Sequence, residues 1–484
     1  MDLRMTSVAF CKACHDKAPV CLSVDDDTPQ RLLWKRSGPR ISTRVAGVRP
    51  VKLTWRAPLT NTTNKKLQQL LNNVNWADAI GTLHLVGDTC LKKIKWPRNL
   101  LWLIFDGMTN LRPYDIEWPE GLLRLEFGRY FDRPIAGIGW NCLQELTFGP
   151  AFNKSIVKVS WPKLERLVFG SAFNKRVVGV KFPELKFLEL GGEHAGEFNL
   201  PIVGAEWPKL EKVIFGTHFN QPIVGVEWPR LNHVTFGSRF GQPFFGVRWP
   251  ELTHLVFSVI SDFDHPVVDI DWSKLQRLEF GSKFNQPIVG VQWPRLKYLK
   301  FGKKFNKHIV GVEFPELEYL EFGLDFNQAI EGVQWPKLKH LVFGPNFNMP
   351  VVGVAFPELK TLEFGHRFNQ SIVGVEFPKL KTLKFGECFD KPLVLVKWPE
   401  FQGDHAPEAV RVFWPEVQHL KFGSSFNQPI GGVKWPATLK SLKFGEFFDQ
   451  PVVSVTWPKS LEQLIFDPSY SRDTGCFIQA MFDD

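Results

Sequence analysis

A Phe, usually followed by Gly, returns along this chain at 127, 148, 169, 215, 236, 257, 280, 301, 322, 343, 364, 385, 422, 444 and 466, with Leu190 holding the place in the gap, and most steps are 21 residues. A fixed period of this size marks an array in which each unit contacts only its neighbours and none buries its apolar face alone. That frees 484 residues from dividing into the several globular domains a non-repetitive chain of this length would form. Composition follows from the same reuse, with 44 Phe, 18 Trp, 38 Gly and 36 Pro against 5 Tyr and 5 Met. Steps of 25, 23 and 37 residues mark insertions at 191–197, 258–262 and 400–412, and the last two steps are 22.

One clean coil runs over 296–316, and its residues are numbered here one to twenty-one. Positions one, four and six are Leu, Leu or Val, and Phe, while three and five vary freely. That is the alternation of a half-buried strand with three and five facing outward. Gly at position seven lets the strand bend away. Phe at ten precedes Asn or Asp at eleven, as in Phe284-Asn285 and Phe305-Asn306. Repeated coil after coil, the Asn would stack into a ladder that satisfies backbone groups at a corner.

Positions fourteen to nineteen, such as Ile288-Val289-Gly290-Val291-Gln292-Trp293, read as a second extended segment with fifteen, seventeen and nineteen on one face. Pro at twenty, without an amide donor, turns the chain toward the next Leu. No coil holds ten residues of helical periodicity, so each is expected to supply two short extended segments, the first joining a continuous parallel sheet. Upstream, the helical pattern of Asn64 to Leu71 suits a cap on the first sheet edge. The expected organisation is an irregular segment 1–60, a helical cap 61–79, the repeats 80–466 and a closing tail 467–484.

The unit Leu-x-x-Leu-x-Phe-Gly-x-x-Phe-Asn-x-Pro-Ile, intact at 275–288 and present with Val213 as its second Leu at 210–223, resembles the FNIP repeat, a relative of leucine-rich repeats. Trp435-Pro436-Ala437-Thr438-Leu439 and Trp457-Pro458-Lys459-Ser460-Leu461 resemble its 22-residue form. The chain departs from the family in its prevailing 21-residue period and in the regular Trp or Phe before Pro. The resemblance implies an all-β, right-handed leucine-rich-repeat-like parallel β-solenoid, here of about 17–18 coils. It also implies protein recognition, with no catalytic residue and no cofactor.

Several local patterns invite sharper readings. The aromatic at nineteen (Trp161, Trp207, Trp228, Trp293) could be a sugar-stacking platform, but it alternates with Phe182, Phe314 and Phe356 and shares its face with Val, as a buried column would. The Asn ladder offers one amide per coil, too few oxygens for a hard cation. Cys11, Cys14 and His15 have the spacing of haem attachment and Cys21 could add a third thiolate for zinc, but haem would want an export signal and a second axial ligand, a closed zinc site wants four ligands, and ordinary thiols are the default reading. His194 with Glu193 and Glu197 reads as a solvated loop. Position-five carboxylates such as Glu279 and Glu321 fall two coils apart, about 9–10 Å by strand spacing, with no substrate subsite beside them.

The strongest functional signal is outward position three, occupied by His233, His254, Arg277, Tyr298, Tyr319 and His340 and flanked at position five by Glu279, Lys300 and Glu321. Tyr and Arg predominate in binding hot spots. The expected function is therefore a non-catalytic scaffold presenting this face to a protein partner, with a carbohydrate-binding or polysaccharide-processing solenoid as the alternative. The net charge of +9, from 59 basic and 50 acidic residues interspersed, gives nucleic acid little support. With no secretory leader pattern and no run of about 20 apolar residues, a soluble, cytoplasmic chain with no membrane partner is expected.

Overall fold

The computed structural model describes residues 21–25, 51–56, 67–68, 71, 80–86, 94–107, 111–192, 196–268, 270–397, 408–453 and 455–472. The chain forms two compact units, residues 1–240 with 247–249, and residues 241–246 with 250–484. The first carries strands β1 (Cys21–Asp25), β2 (Val51–Arg56), β3 (Ile80–Val86), β4 (Trp102–Asp106), β5 (Arg124–Phe127), β6 (Glu145–Thr147), β7 (Arg166–Phe169), β8 (Phe187–Leu190), β9 (Lys212–Phe215) and β10 (His233–Phe236). Each pairs in parallel with the next.

The second unit carries β11 (His254–Phe257), β12 (Arg277–Glu279), β13 (Tyr298–Lys300), β14 (Tyr319–Glu321), β15 (His340–Val342), β16 (Thr361–Glu363), β17 (Thr382–Lys384), β18 (Val394–Lys397), β19 (Glu408–Arg411), β20 (His419–Lys421), β21 (Ser441–Lys443) and β22 (Gln463–Ile465). All but β18 and β19 form one parallel ladder in which β17 pairs directly with β20. Each unit is thus the parallel β-solenoid expected, built mostly on 21-residue coils. Strands β1 and β2 lie inside the segment expected to be irregular, so the ladder starts upstream of the recognisable repeats. Of the expected helical cap, Leu67, Gln68 and Leu71 are described, in helical conformation, with both leucines buried.

A coil closes through three β-turns. In the coil of Trp293 and its neighbours, the amide of position ten donates to the carbonyl of seven (Phe284 to Gly281, 3.3 Å), that of seventeen to fourteen (Val312 to Ile309, 3.2 Å), and that of the next Leu to nineteen (Leu296 to Trp293, 3.2 Å). Pro at twenty occupies the second place of the last turn, where its fixed φ is already correct. The middle turn corrects the expected second strand. Gly311 at position sixteen has φ of 84°, which a type II turn requires of its third residue. The chain therefore bends where Val-Gly-Val suggested alternation. Val310 stands 43% exposed on the corner while Ile309, Val312 and Phe314 are buried.

Inside, the apolar positions form columns. Phe301 stacks on Phe305 of its own coil at 3.8 Å and on Phe322 of the next at 5.6 Å, and Phe305 faces Phe326 at 6.0 Å. The position-nineteen aromatics stack likewise, Trp207 on Trp228 at 5.6 Å and Phe356 on Phe377 at 5.6 Å, and these four are buried, as a core column and not a platform.

The Asn ladder forms as expected. Asn306, Asn327 and Asn348 each receive, at Oδ1, the backbone N–H of the equivalent residue one coil on, at 2.9, 2.8 and 2.8 Å. Asp takes the same part in Asp264 and Asp390. Asn327→Ala should therefore lower stability by about 1 kcal/mol, the price of an amide left to water, and Asn327→Asp should recover it. Urea unfolding of the three proteins checks both.

The 37-residue step resolves into a hairpin. Strands β18 and β19 pair antiparallel between Leu393 at position fourteen and Val412 at seventeen, both buried. The excursion thus leaves the coil earlier than the expected 400–412, and 412–414 already belong to the core path. On re-entry Phe413 pairs with the preceding coil, donating to Val375 at 3.2 Å and accepting from Phe377 at 2.7 Å.

Candidate functional site

Strands β11 to β15 bring five of the six position-three residues into one in-register column of the second unit: His254, Arg277, Tyr298, Tyr319 and His340. His233 lies on β10 of the first unit, where its register partner is Lys212. The period-two pleat turns this column outward while Leu278, Leu299 and Leu320 point into the core.

The column is a stack. The Arg277 guanidinium lies 3.9 Å above the Tyr298 ring, and the Tyr298 and Tyr319 rings are 4.3 Å apart and nearly parallel at 4°. The His340 ring follows at 6.2 Å, tilted by 38°. Beside it, position five supplies the charges that hold the stack. Nε of Arg277 reaches Glu279 at 2.7 Å, the Tyr319 hydroxyl donates to Glu321 at 2.7 Å, and Nζ of Lys300 meets the other oxygen of Glu321 at 2.8 Å. His254 contacts Thr253 Oγ1 at 2.9 Å.

These contacts set the protonation states. Burial first, then the hydrogen bond and charge of Glu321, push the Tyr319 phenol far above its ordinary value. For Lys300 burial opposes the charge, but Glu321 outweighs it and the ammonium is held above its usual range. Burial, then the charges of Lys360 and Lys339, push the His340 imidazole below its ordinary value against the smaller opposing pull of Glu318, and so favour its neutral form. Glu279 and Glu321, the pair weighed as carboxylates for acid–base chemistry, are each engaged by a cation.

The first unit has a second aromatic–cation run that the sequence reading passed over: Arg166 lies 3.7 Å above Phe187, with Lys212 Nζ at 5.8 Å, and Arg124 lies 5.5 Å from Trp102. An aromatic at position three was the available signal. In the same unit Glu126 is raised above the usual carboxylate range by burial, then by the charge of Asp106. The candidate metal residues Cys11, Cys14 and His15, the side chain of Cys21, and Glu193 and His194 lie outside the described residues. Among the described residues no group of three or more His, Cys, Asp or Glu is placed to hold a metal ion, and no helix is long and apolar enough to cross a membrane.

In-register parallel strands over a Leu and Phe core, one short coil per strand, define a leucine-rich-repeat-like solenoid. No family model matches the chain, and no curated protein matches it. Among solved structures it is similar to CroV588, described as a novel circular LRR protein, with 27% identity over 87% of this chain and 66% of that one and a TM-score of 0.64. The chain thus spans slightly less than two thirds of that protein's length. A leucine-rich repeat protein from Bacteroides ovatus aligns over 88% of this chain and 87% of its own at 10% identity, with a TM-score of 0.14 that carries no weight.

Proposed function

We propose that the chain is a non-catalytic scaffold of FNIP-type repeats that recognises an unidentified cytoplasmic protein through the sheet face of its second unit, centred on Arg277, Tyr298, Tyr319 and His340. The observation that carries this reading is the stack itself. Arg277 lies on Tyr298, Tyr298 on Tyr319, and Glu279 and Glu321 anchor both ends before any partner arrives. Rotamer-rich side chains already held in place lose little further entropy on binding, and Tyr and Arg are the residues that concentrate interface energy. Leucine-rich-repeat-like solenoids commonly serve as protein-interaction scaffolds, which agrees with this reading.

The alternative, carbohydrate binding, finds less support at this face. A sugar ring needs a free aromatic face, and both faces of Tyr298 are covered, by Arg277 and by Tyr319. The edges and the polar rim point to solvent instead, which suits backbone and side-chain groups of a protein.

The Tyr298→Ala, Tyr319→Ala double variant is expected to lose at least about tenfold in affinity for a partner captured on the intact chain, since a hot-spot truncation costs about 2 kcal/mol or more. Circular dichroism should show an unchanged fold. Full retention of binding by the folded double variant would place recognition elsewhere.

A further inference from the structure

We propose that a basic strip on the same sheet face, Lys384, Lys421 and Lys443 at position five with Thr382, His419 and Ser441 beside them at position three, binds an acidic stretch of the partner protein. The proposal rests on the reading that this face recognises protein, and it specifies the charge of what is recognised.

The strip is created by the pairing of β17 with β20 and of β20 with β21, which sets Lys384, Lys421 and Lys443 in register, and Thr382, His419 and Ser441 in register next to them. Neighbouring parallel strands lie about 4.8 Å apart, so Lys421 has a lysine on each side at that spacing. Like charges directly opposite one another in a sheet are destabilising. On the same face Arg277 is answered by Glu279 and Lys300 by Glu321, and within the strip Lys384 is answered by Glu363 at 2.7 Å. Among the described residues Lys421 and Lys443 make no ion pair. Glu387, an acid in the turn nearby, is engaged by the backbone N–H and the hydroxyl of Ser424 and held below the usual carboxylate range, first by these hydrogen bonds and then by the charges of Lys421 and His366, so Lys421 has a carboxylate in its field but no direct ion pair.

An outward position tolerates almost any side chain, so packing gives no reason for two adjacent lysines without a direct ion pair. A ligand that brings negative charge does. The strip is also open: Lys384, His419, Lys421 and Lys443 are exposed, whereas Arg277, Tyr298, Tyr319 and His340 are half-buried.

Position three beside the lysines carries Thr, His and Ser, which can donate hydrogen bonds to carboxylates. It lacks the free aromatic faces on which the bases of a single-stranded nucleic acid would stack. Ile465, in register with Lys443 and 40% exposed, ends the strip with an apolar contact suited to a peptide side chain. From β14 to β20 the ladder takes four strand steps, about 19 Å, which an extended peptide covers in about six residues. The acidic stretch therefore lies about six residues from whatever meets Tyr319.

The test uses the full chain and a fluorescein-labelled oligoglutamate peptide read by fluorescence anisotropy at low salt. Lys421→Glu with Lys443→Glu should weaken binding at least about tenfold, and Lys421→Ala with Lys443→Ala about threefold, because close charges dominate when screening is weak. Lys163→Glu with Lys434→Glu, two exposed lysines whose reversal changes net charge equally, should leave binding within about twofold. No binding at low salt, or equal losses in the two reversal variants, overturns the proposal. Preferential binding of oligothymidylate with the same dependence on Lys421 and Lys443 overturns it in favour of nucleic acid. The two readings fail separately: capture that depends on Tyr298 and Tyr319 while the lysine variants bind oligoglutamate normally removes the strip alone, and the converse removes the tyrosine face alone.

Discussion

Trp293→Ala is expected to lower the unfolding free energy by about 3–5 kcal/mol, while Trp293→Phe stays within about 1 kcal/mol of the parent. Trp293 is 1% exposed, with Phe280 at 6.5 Å, and lies beneath the turn that Leu296 closes onto its carbonyl. Truncation to Ala removes the largest side chain of its coil from a column whose neighbours are fixed by the sheet, so little collapse can fill the space. Phe avoids that loss because the slot is built for either ring, as Phe314 and Phe356 show in the same column. The indole also gains nothing polar from its place, since Nε1 of Trp293 is buried without an acceptor among the described residues. Urea unfolding of the two variants separates these outcomes. A Trp293→Ala curve superimposed on the parent would mean the aromatic slot is not core.

Gly344→Ala should cost at least about 3 kcal/mol, at the upper end for overpacking, although its backbone lies in a region open to any residue. A Cβ at Gly344 would fall closer than 3.0 Å to the carbonyl of Gly323, and the same holds for Gly302 against Gly281 and Gly365 against Gly344. The obstruction is backbone, held by the pairing of Glu321 with Val342 and by the Phe322 amide on the Val342 carbonyl at 2.9 Å. No rotamer change relieves it, so the coils must separate. Gly311→Ala tests the opposite case: nothing lies within 4 Å of its Cβ, and its φ of 84° alone should cost about 1–2 kcal/mol. Thermal melts of the two variants should differ in that order. Equal shifts would mean that close stacking is not what position seven requires.

Position seven marks where sequence reasoning reached the right residue by an incomplete route. The Gly was expected to release a bend, but its column is demanded by the approach of one coil to the next, which no single coil displays. Positions four and six were legible because burial alternates with a period of two and Phe has one place to go. Val-Gly-Val carried the same period and misled, because a turn at positive φ can place residues in and out just as a strand does. The Arg277, Tyr298, Tyr319 and His340 column was legible once register was known. Its order, with Arg277 on Tyr298 and Glu321 binding Tyr319 and Lys300 together, depends on rotamers that spacing does not encode. Lys421 escaped notice because 37 residues separate it from Lys384, its immediate neighbour on the sheet.

The hairpin of β18 and β19 separates two kinds of change that a globular domain has to negotiate together. The chain leaves after Leu393 and rejoins at Val412 with every rung from β16 to β21 still in register. The middle turn of a coil is therefore a port: material added there leaves every strand of the ladder in place. Substitution at position three leaves the turn untouched and insertion at the port leaves the sheet face untouched, so neither edit obliges the other. A chain built this way can vary its sheet face and its insertions on independent schedules.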